Sequence, residues 1–125
     1  MLRSFLAPLA MLVAVAIPVS AIAHPRLLAA NPAQNATVAR PVKLSLQFSE
    51  NLVAPLSGVE LTMTGMPGMA DHPPMAVTGV ATTISQRVMT VTLSRPLPRG
   101  TYELKWHVVA ADQHRISGSY SFSVS

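Results

Sequence analysis

Along residues 42–48 apolar and polar side chains alternate, Val42, Leu44, Leu46 and Phe48 against Lys43, Ser45 and Gln47. A period of two puts each set on its own face of an extended chain, so this stretch is predicted to be a half-buried strand. The rhythm recurs in Val59, Leu61 and Met63, set against Glu60 and Thr62, and in the apolar set Met89, Val91 and Leu93. After a turn marked by Pro96, Pro98 and Gly100, the residues Tyr102, Leu104, Trp106 and Val108 alternate with Thr101, Glu103, Lys105 and His107. Ile116, Gly118, Tyr120, Phe122 and Val124 then alternate with a nearly continuous row of serines. No segment carries apolar residues at helical spacing. Short strands separated by turn residues predict an all-β fold, an antiparallel Greek-key sandwich or barrel. Residues 64–78 break the pattern, because Gly65, Pro67, Gly68, Pro73 and Pro74 forbid a regular strand or helix. A loop or irregular edge is predicted there.

The amino-terminal segment has a different character. Arg3 precedes an apolar run from Leu6 to Val19, interrupted by Pro8 and Pro18 and followed by the small-x-small site Ala21-Ile22-Ala23. That order predicts a cleaved secretory signal peptide over residues 1–23 and an exported domain over 24–125. The run is too short and too broken to favour a retained membrane span. Cleavage after Ala23 makes His24 the first residue. Val19-Ser20-Ala21 obeys the same rule and would leave Ile22 first.

Removing 23 residues leaves 102 of 125, enough for one domain with one core. There is no cysteine. In an oxidising compartment this excludes disulfides, and it leaves methionine as the soft metal ligand. The exported part holds eight basic and five acidic residues, with the basic ones scattered singly and few aromatics among them. Nucleic-acid binding would call for a basic stripe with interleaved aromatics, so it is not expected.

Two groups of residues could carry chemistry. An amino-terminal histidine offers a free amine and an imidazole, whose ordinary pKa values of about 8 and about 6.5 allow a metal to displace both protons at neutral pH. Pro25 lacks an amide proton, which holds the chelate at those two nitrogens. In Asp112-Gln113-His114 an extended backbone would project the carboxylate and the imidazole from one face. The 88 positions between His24 and Asp112 make closing that loop cost about 4 kcal/mol, so the fold must preorganise the site. Three nitrogens and one oxygen point to Cu(II) or Ni(II), with copper leading in affinity and zinc open on ligand type alone. The second group is Met63, Met66, Met69 and Met75, with His72 among them. Met66, Met69 and Met75 lie among glycines and prolines with few apolar neighbours, where thioethers suit Cu(I). Met63 shares the parity of Val59 and Leu61 and could turn inward. His107 reads as a solvated histidine, Trp106 as core and Glu50 as a turn residue.

His24-Pro25-Arg26-Leu27, Phe48-Ser49-Glu50-Asn51-Leu52, the Met63-to-Met75 loop, and Trp106 followed by Asp112-Gln113-His114 and Gly118 resemble the CopC-type periplasmic copper-resistance proteins over essentially the whole exported chain. The resemblance implies a seven-stranded immunoglobulin-like β-barrel with two copper sites at opposite ends. By that likeness His24, Asp112 and His114 would bind Cu(II). Cu(I) ligands would come from Met63, Met66, Met69 and Met75, with His72 a candidate. It further implies a periplasmic carrier or buffer without catalysis, which hands copper to an inner-membrane transporter of the CopD type or another resistance protein. The chain departs from the family pattern in having Arg115 where many relatives have proline. The segment from Met69 to Met75 is also a residue longer than expected. The alternative function is a histidine-brace copper oxidase resembling lytic polysaccharide monooxygenases. Against that alternative, Asp112 would occupy a position that oxygen chemistry needs open.

Overall fold

Each of the five apolar alternations becomes a strand with its apolar set turned inward, except that Val42 lies just before its strand and is exposed. The computed structural model describes residues 8, 10–16, 24–69 and 72–125; both candidate cleavage sites lie outside them. In chain order the strands are β1 (Leu27–Asn31), β2 (Thr37–Val38), β3 (Lys43–Phe48), β4 (Gly58–Gly65), β5 (Met75–Ala76), β6 (Val80–Ser85), β7 (Val88–Leu93), β8 (Gly100–Val109) and β9 (Arg115–Val124). A short 3-10 turn at Ala54–Leu56 precedes β4. They form a four-stranded sheet in the order β1-β3-β7-β6, and a five-stranded sheet in the order β2-β9-β8-β4-β5. Apart from the two-residue strands β2 and β5, seven strands make the sandwich, in agreement with the expected all-β class.

Leu44, Leu46, Phe48, Met89, Val91 and Leu93 from one sheet face Leu61, Tyr102, Leu104, Trp106, Val108, Tyr120, Phe122 and Val124 from the other. Trp106 meets Phe48 edge to face at 5.1 Å, and Tyr102 stacks on Phe122 at 5.6 Å. At the start of β8 the Tyr102 hydroxyl donates to the Pro98 carbonyl at 2.6 Å, the tyrosine-corner device of Greek-key sandwiches. Trp106 lies opposite Gly118 across the β8–β9 ladder. A Cβ at Gly118 would overlap the indole, so the absence of a side chain there is what seats the tryptophan.

The interrupted region 64–78 is partly regular. β4 continues through Gly65, and Met75–Ala76 adds a two-residue edge strand opposite Thr62 and Met63. The reason is local: Pro73 and Pro74 stop just before Met75, and beyond them the Val77 amide donates to the Leu61 carbonyl of β4 at 2.9 Å. Among the described residues no helix is long and apolar enough to cross a membrane.

Candidate metal centre

The topology brings the entry to β1 beside the turn joining β8 to β9. Leu27 pairs with Phe48 at the end of β3, and a register shift follows between Leu27 and Ala29. One residue back along the chain, the Arg26 amide donates to Ser49 Oγ at 2.8 Å, and the Ser49 amide donates to the Arg26 carbonyl at 2.9 Å. Pro25 is fully buried, so His24 leaves the fold from an anchored point.

On the other side β8 passes from β4 to the segment before it. Val53 donates to the Val109 carbonyl at 2.7 Å. Ser57 Oγ accepts from the Val109 amide at 3.1 Å and donates to the Val53 carbonyl at 2.9 Å. Beyond this clamp the chain turns rather than running extended. Gln113 is left-handed with φ 65°, and its amide donates to the Ala110 carbonyl at 2.9 Å. The His114 amide donates to Asp112 Oδ1 at 3.1 Å. This corrects the extended geometry expected for Asp112-Gln113-His114: aspartate stabilises a turn by bonding its own backbone two residues on. The two side chains converge through that turn instead of through strand alternation.

Asp112 Oδ2 lies 3.0 Å from His24 Nδ1 and 3.4 Å from His114 Nδ1. The imidazole rings are 5.1 Å apart and tilted by 57°. One donor atom from each of the three residues falls within 4.8 Å of the others, a spacing that a single ion can bridge. The Asp112 side chain is 4% exposed, whereas those of His24 and His114 are 58% and 70% exposed. The carboxylate is therefore the floor of the site and the imidazoles its solvent-facing walls. Burial works to raise the Asp112 pKa. The His114 amide, the side chains of His24 and His114, and the charge of His114 outweigh it, and the carboxyl sits below its ordinary value.

At the far end of β8 the four methionines form two cross-strand pairs instead of one cluster. Met63 of β4 lies opposite Met75 of β5, and Met66 bridges Met69 across Pro67 and Gly68. Such pairs hold their Cβ atoms about 5 Å apart on one face. Met66, Met69 and Met75 are exposed, and Met63 packs partly against the core, as its parity with Leu61 suggested. Met63 and Met75 line a cavity of about 380 Å³ with Leu97, Pro98 and Tyr102. His72 Nδ1 is 2.7 Å from the Pro73 carbonyl, and its Nε2 is buried without a hydrogen-bond partner among the described residues. A buried imidazole nitrogen left without a partner is a candidate ligand.

His107 lies on the outer face but is only half exposed, its ring packed over Gly58. Trp106 is core, as expected. Ser49 and Ser57 hold the two halves of the site, and no periodicity marks them. Only the motif around Phe48 draws attention to Ser49.

A family model described as the CopC domain matches residues 27–125. Copper resistance protein C of Xanthomonas campestris pv. juglandis is 46% identical over 123 residues, which is 98% of this chain and 96% of that protein. Copper resistance protein C of Escherichia coli is 46% identical over 106 residues, 84% of each. Among solved structures, PcoC, a methionine-rich copper resistance protein from Escherichia coli, superposes with a TM-score of 0.73 at 43% identity, covering 82% of this chain and all of that one.

Proposed function

Because the chain belongs to the CopC family, we propose that it is an exported periplasmic copper-binding protein, a carrier or buffer without catalysis. Cu(II) is held by His24, Asp112 and His114, and Cu(I) by Met63, Met66, Met69 and Met75 with His72. The observation that carries this reading is the convergence of His24, 88 residues distant, on Asp112 and His114. His24 turns Nδ1 toward the carboxylate, and Nδ1 is the nitrogen that can chelate together with the residue's own amine. The matched span begins at Leu27, downstream of both candidate cleavage sites.

The two donor sets suit two oxidation states. Imidazole, amine and carboxylate favour the harder ion, and thioethers on an adaptable loop favour the softer one. The open face above His24 and His114 leaves room for a ligand from the recipient, for which the family resemblance offers an inner-membrane transporter of the CopD type. The oxidase alternative is not favoured. The family shown is one of copper-resistance proteins, and the Asp112 carboxylate converges with His24 Nδ1 on the same centre, where it would take a coordination position that oxygen chemistry needs open.

Competitive titration of the chain processed to His24 tests both sites. Asp112→Ala and His114→Ala are each expected to weaken Cu(II) binding by at least about tenfold. Under reducing, oxygen-free conditions the triple replacement of Met66, Met69 and Met75 by Leu is expected to abolish tight Cu(I) binding. Unchanged affinities in both experiments would contradict the assignment.

A further inference from the structure

We propose that Ser49 is a positioning residue for the copper centre, setting where His24 sits through its hydrogen bond to the Arg26 amide. The inference rests on the Cu(II) site proposed above.

In an antiparallel ladder a hydrogen-bonded pair exchanges two N–H···O bonds. Arg26 and Ser49 make one of them in the ordinary way, Ser49 N–H to the Arg26 carbonyl at 2.9 Å. The return bond, from the Arg26 amide, goes to the Ser49 hydroxyl at 2.8 Å. The side chain thereby extends the β1–β3 ladder one step beyond Leu27 and Phe48. That step matters because the ladder is weak here: the register shifts between Leu27 and Ala29, and regular pairing resumes only at Ala29 with Gln47. Upstream of the shift, the chain is directed by the Leu27–Phe48 pairing, the buried Pro25 ring and this pair of bonds, and His24 itself lies against Asp112.

Arg26 is two residues from His24. A pivot there would swing the imidazole by several ångströms, whereas a shared ion requires donor atoms within 4.8 Å of one another. Without the hydroxyl, His24 can still chelate copper through its amine and ring, but it no longer meets Asp112 and His114 without an ordering cost. Ser49 touches no donor atom. It acts through the backbone.

Ser49→Thr and Ser49→Val differ in a hydroxyl and little else, and both suit a strand end. In the chain processed to His24, Ser49→Val is expected to lower Cu(II) affinity about five- to tenfold, the effect of losing a hydrogen bond of ordinary strength. In the metal-free protein it should speed hydrogen exchange at the Arg26 amide, and in the Cu(II) form reduce the number of nitrogens seen by pulsed electron paramagnetic resonance. Ser49→Thr should restore all three. Ser49→Val with native affinity, while Asp112→Ala and His114→Ala bind weakly, would overturn the positioning role and leave the site intact. Native affinity in all of these variants would overturn both. Should Ser49→Val unfold, the Arg26 exchange rate in Ser49→Ala decides instead: an unchanged rate removes the hydroxyl from the mechanism.

Discussion

Asp112 meets opposing demands. Its carboxylate is nearly enclosed, which favours the neutral acid, yet the His114 amide and two imidazoles keep it ionised. A carboxyl held below its unfolded pKa stabilises the fold above about pH 4, and that contribution is lost as pH falls through the folded value. Urea denaturation of the metal-free protein between pH 5 and 2.5 is therefore expected to show a loss that Asp112→Asn lacks. Tyr120 presents the reverse case. Its hydroxyl is buried without a partner among the described residues, and burial pushes its pKa up to about 12. The unfolded tyrosine ionises first, from about pH 10, so its contribution is present below that pH and fades as pH rises toward 12. Tyr120→Phe is expected to be neutral at pH 7 or to stabilise by about 1 kcal/mol, and to flatten this alkaline loss in thermal melts. His24, Asp112 and His114 were legible in the sequence because their donor atoms are rare and their spacing is chemical. The unpartnered hydroxyl of Tyr120 was not, since the same alternation that buries a tyrosine says nothing about what its oxygen meets.

At the level of elements, β3, β4, β7, β8 and β9 could be read directly, because apolar residues recur at every second position over most of each strand. β1 and β6 could not. Leu27–Asn31 has no polar partner set, being an edge strand with Leu28 exposed. Val80–Ser85 alternates, but with Thr82 at the centre of its inner row the contrast is faint. At Asp112 the chain turns where the alternation before it predicts extended backbone, because aspartate bonding to its own backbone overrides that alternation. Gly118 shows the opposite relation, a residue whose sequence position in the inward row of β9 foretells a close approach. Gly118→Ala is expected to cost about 1–3 kcal/mol by displacing the Trp106 ring, with a shift in tryptophan emission as the second readout.

The whole molecule separates its two donor sets along β8. Tyr102, near the start of that strand, lines the methionine cavity, and Val109 at its end carries the turn to Asp112. Seven residue steps at about 3.3 Å each put roughly 23 Å between Tyr102 and Val109. Sites that far apart with no shared partner behave nearly independently. The triple methionine replacement is thus expected to leave Cu(II) affinity within about twofold, and Asp112→Ala to leave Cu(I) affinity equally untouched. In the proposed assignment, imidazole and carboxylate donors at one end suit the harder ion, and thioethers at the other end suit the softer one.

Everything in the proposed Cu(II) site depends on His24 being the first residue of the exported chain and being brought to Asp112 and His114. The most direct measurement is pulsed electron paramagnetic resonance of the Cu(II) form of the naturally processed protein, with intact mass establishing its first residue. The expected result is a chain beginning at His24 whose copper is coupled to two imidazoles and an amine, with the amine coupling lost when one alanine is added ahead of His24. A native chain whose copper couples to no amino-terminal nitrogen would contradict it.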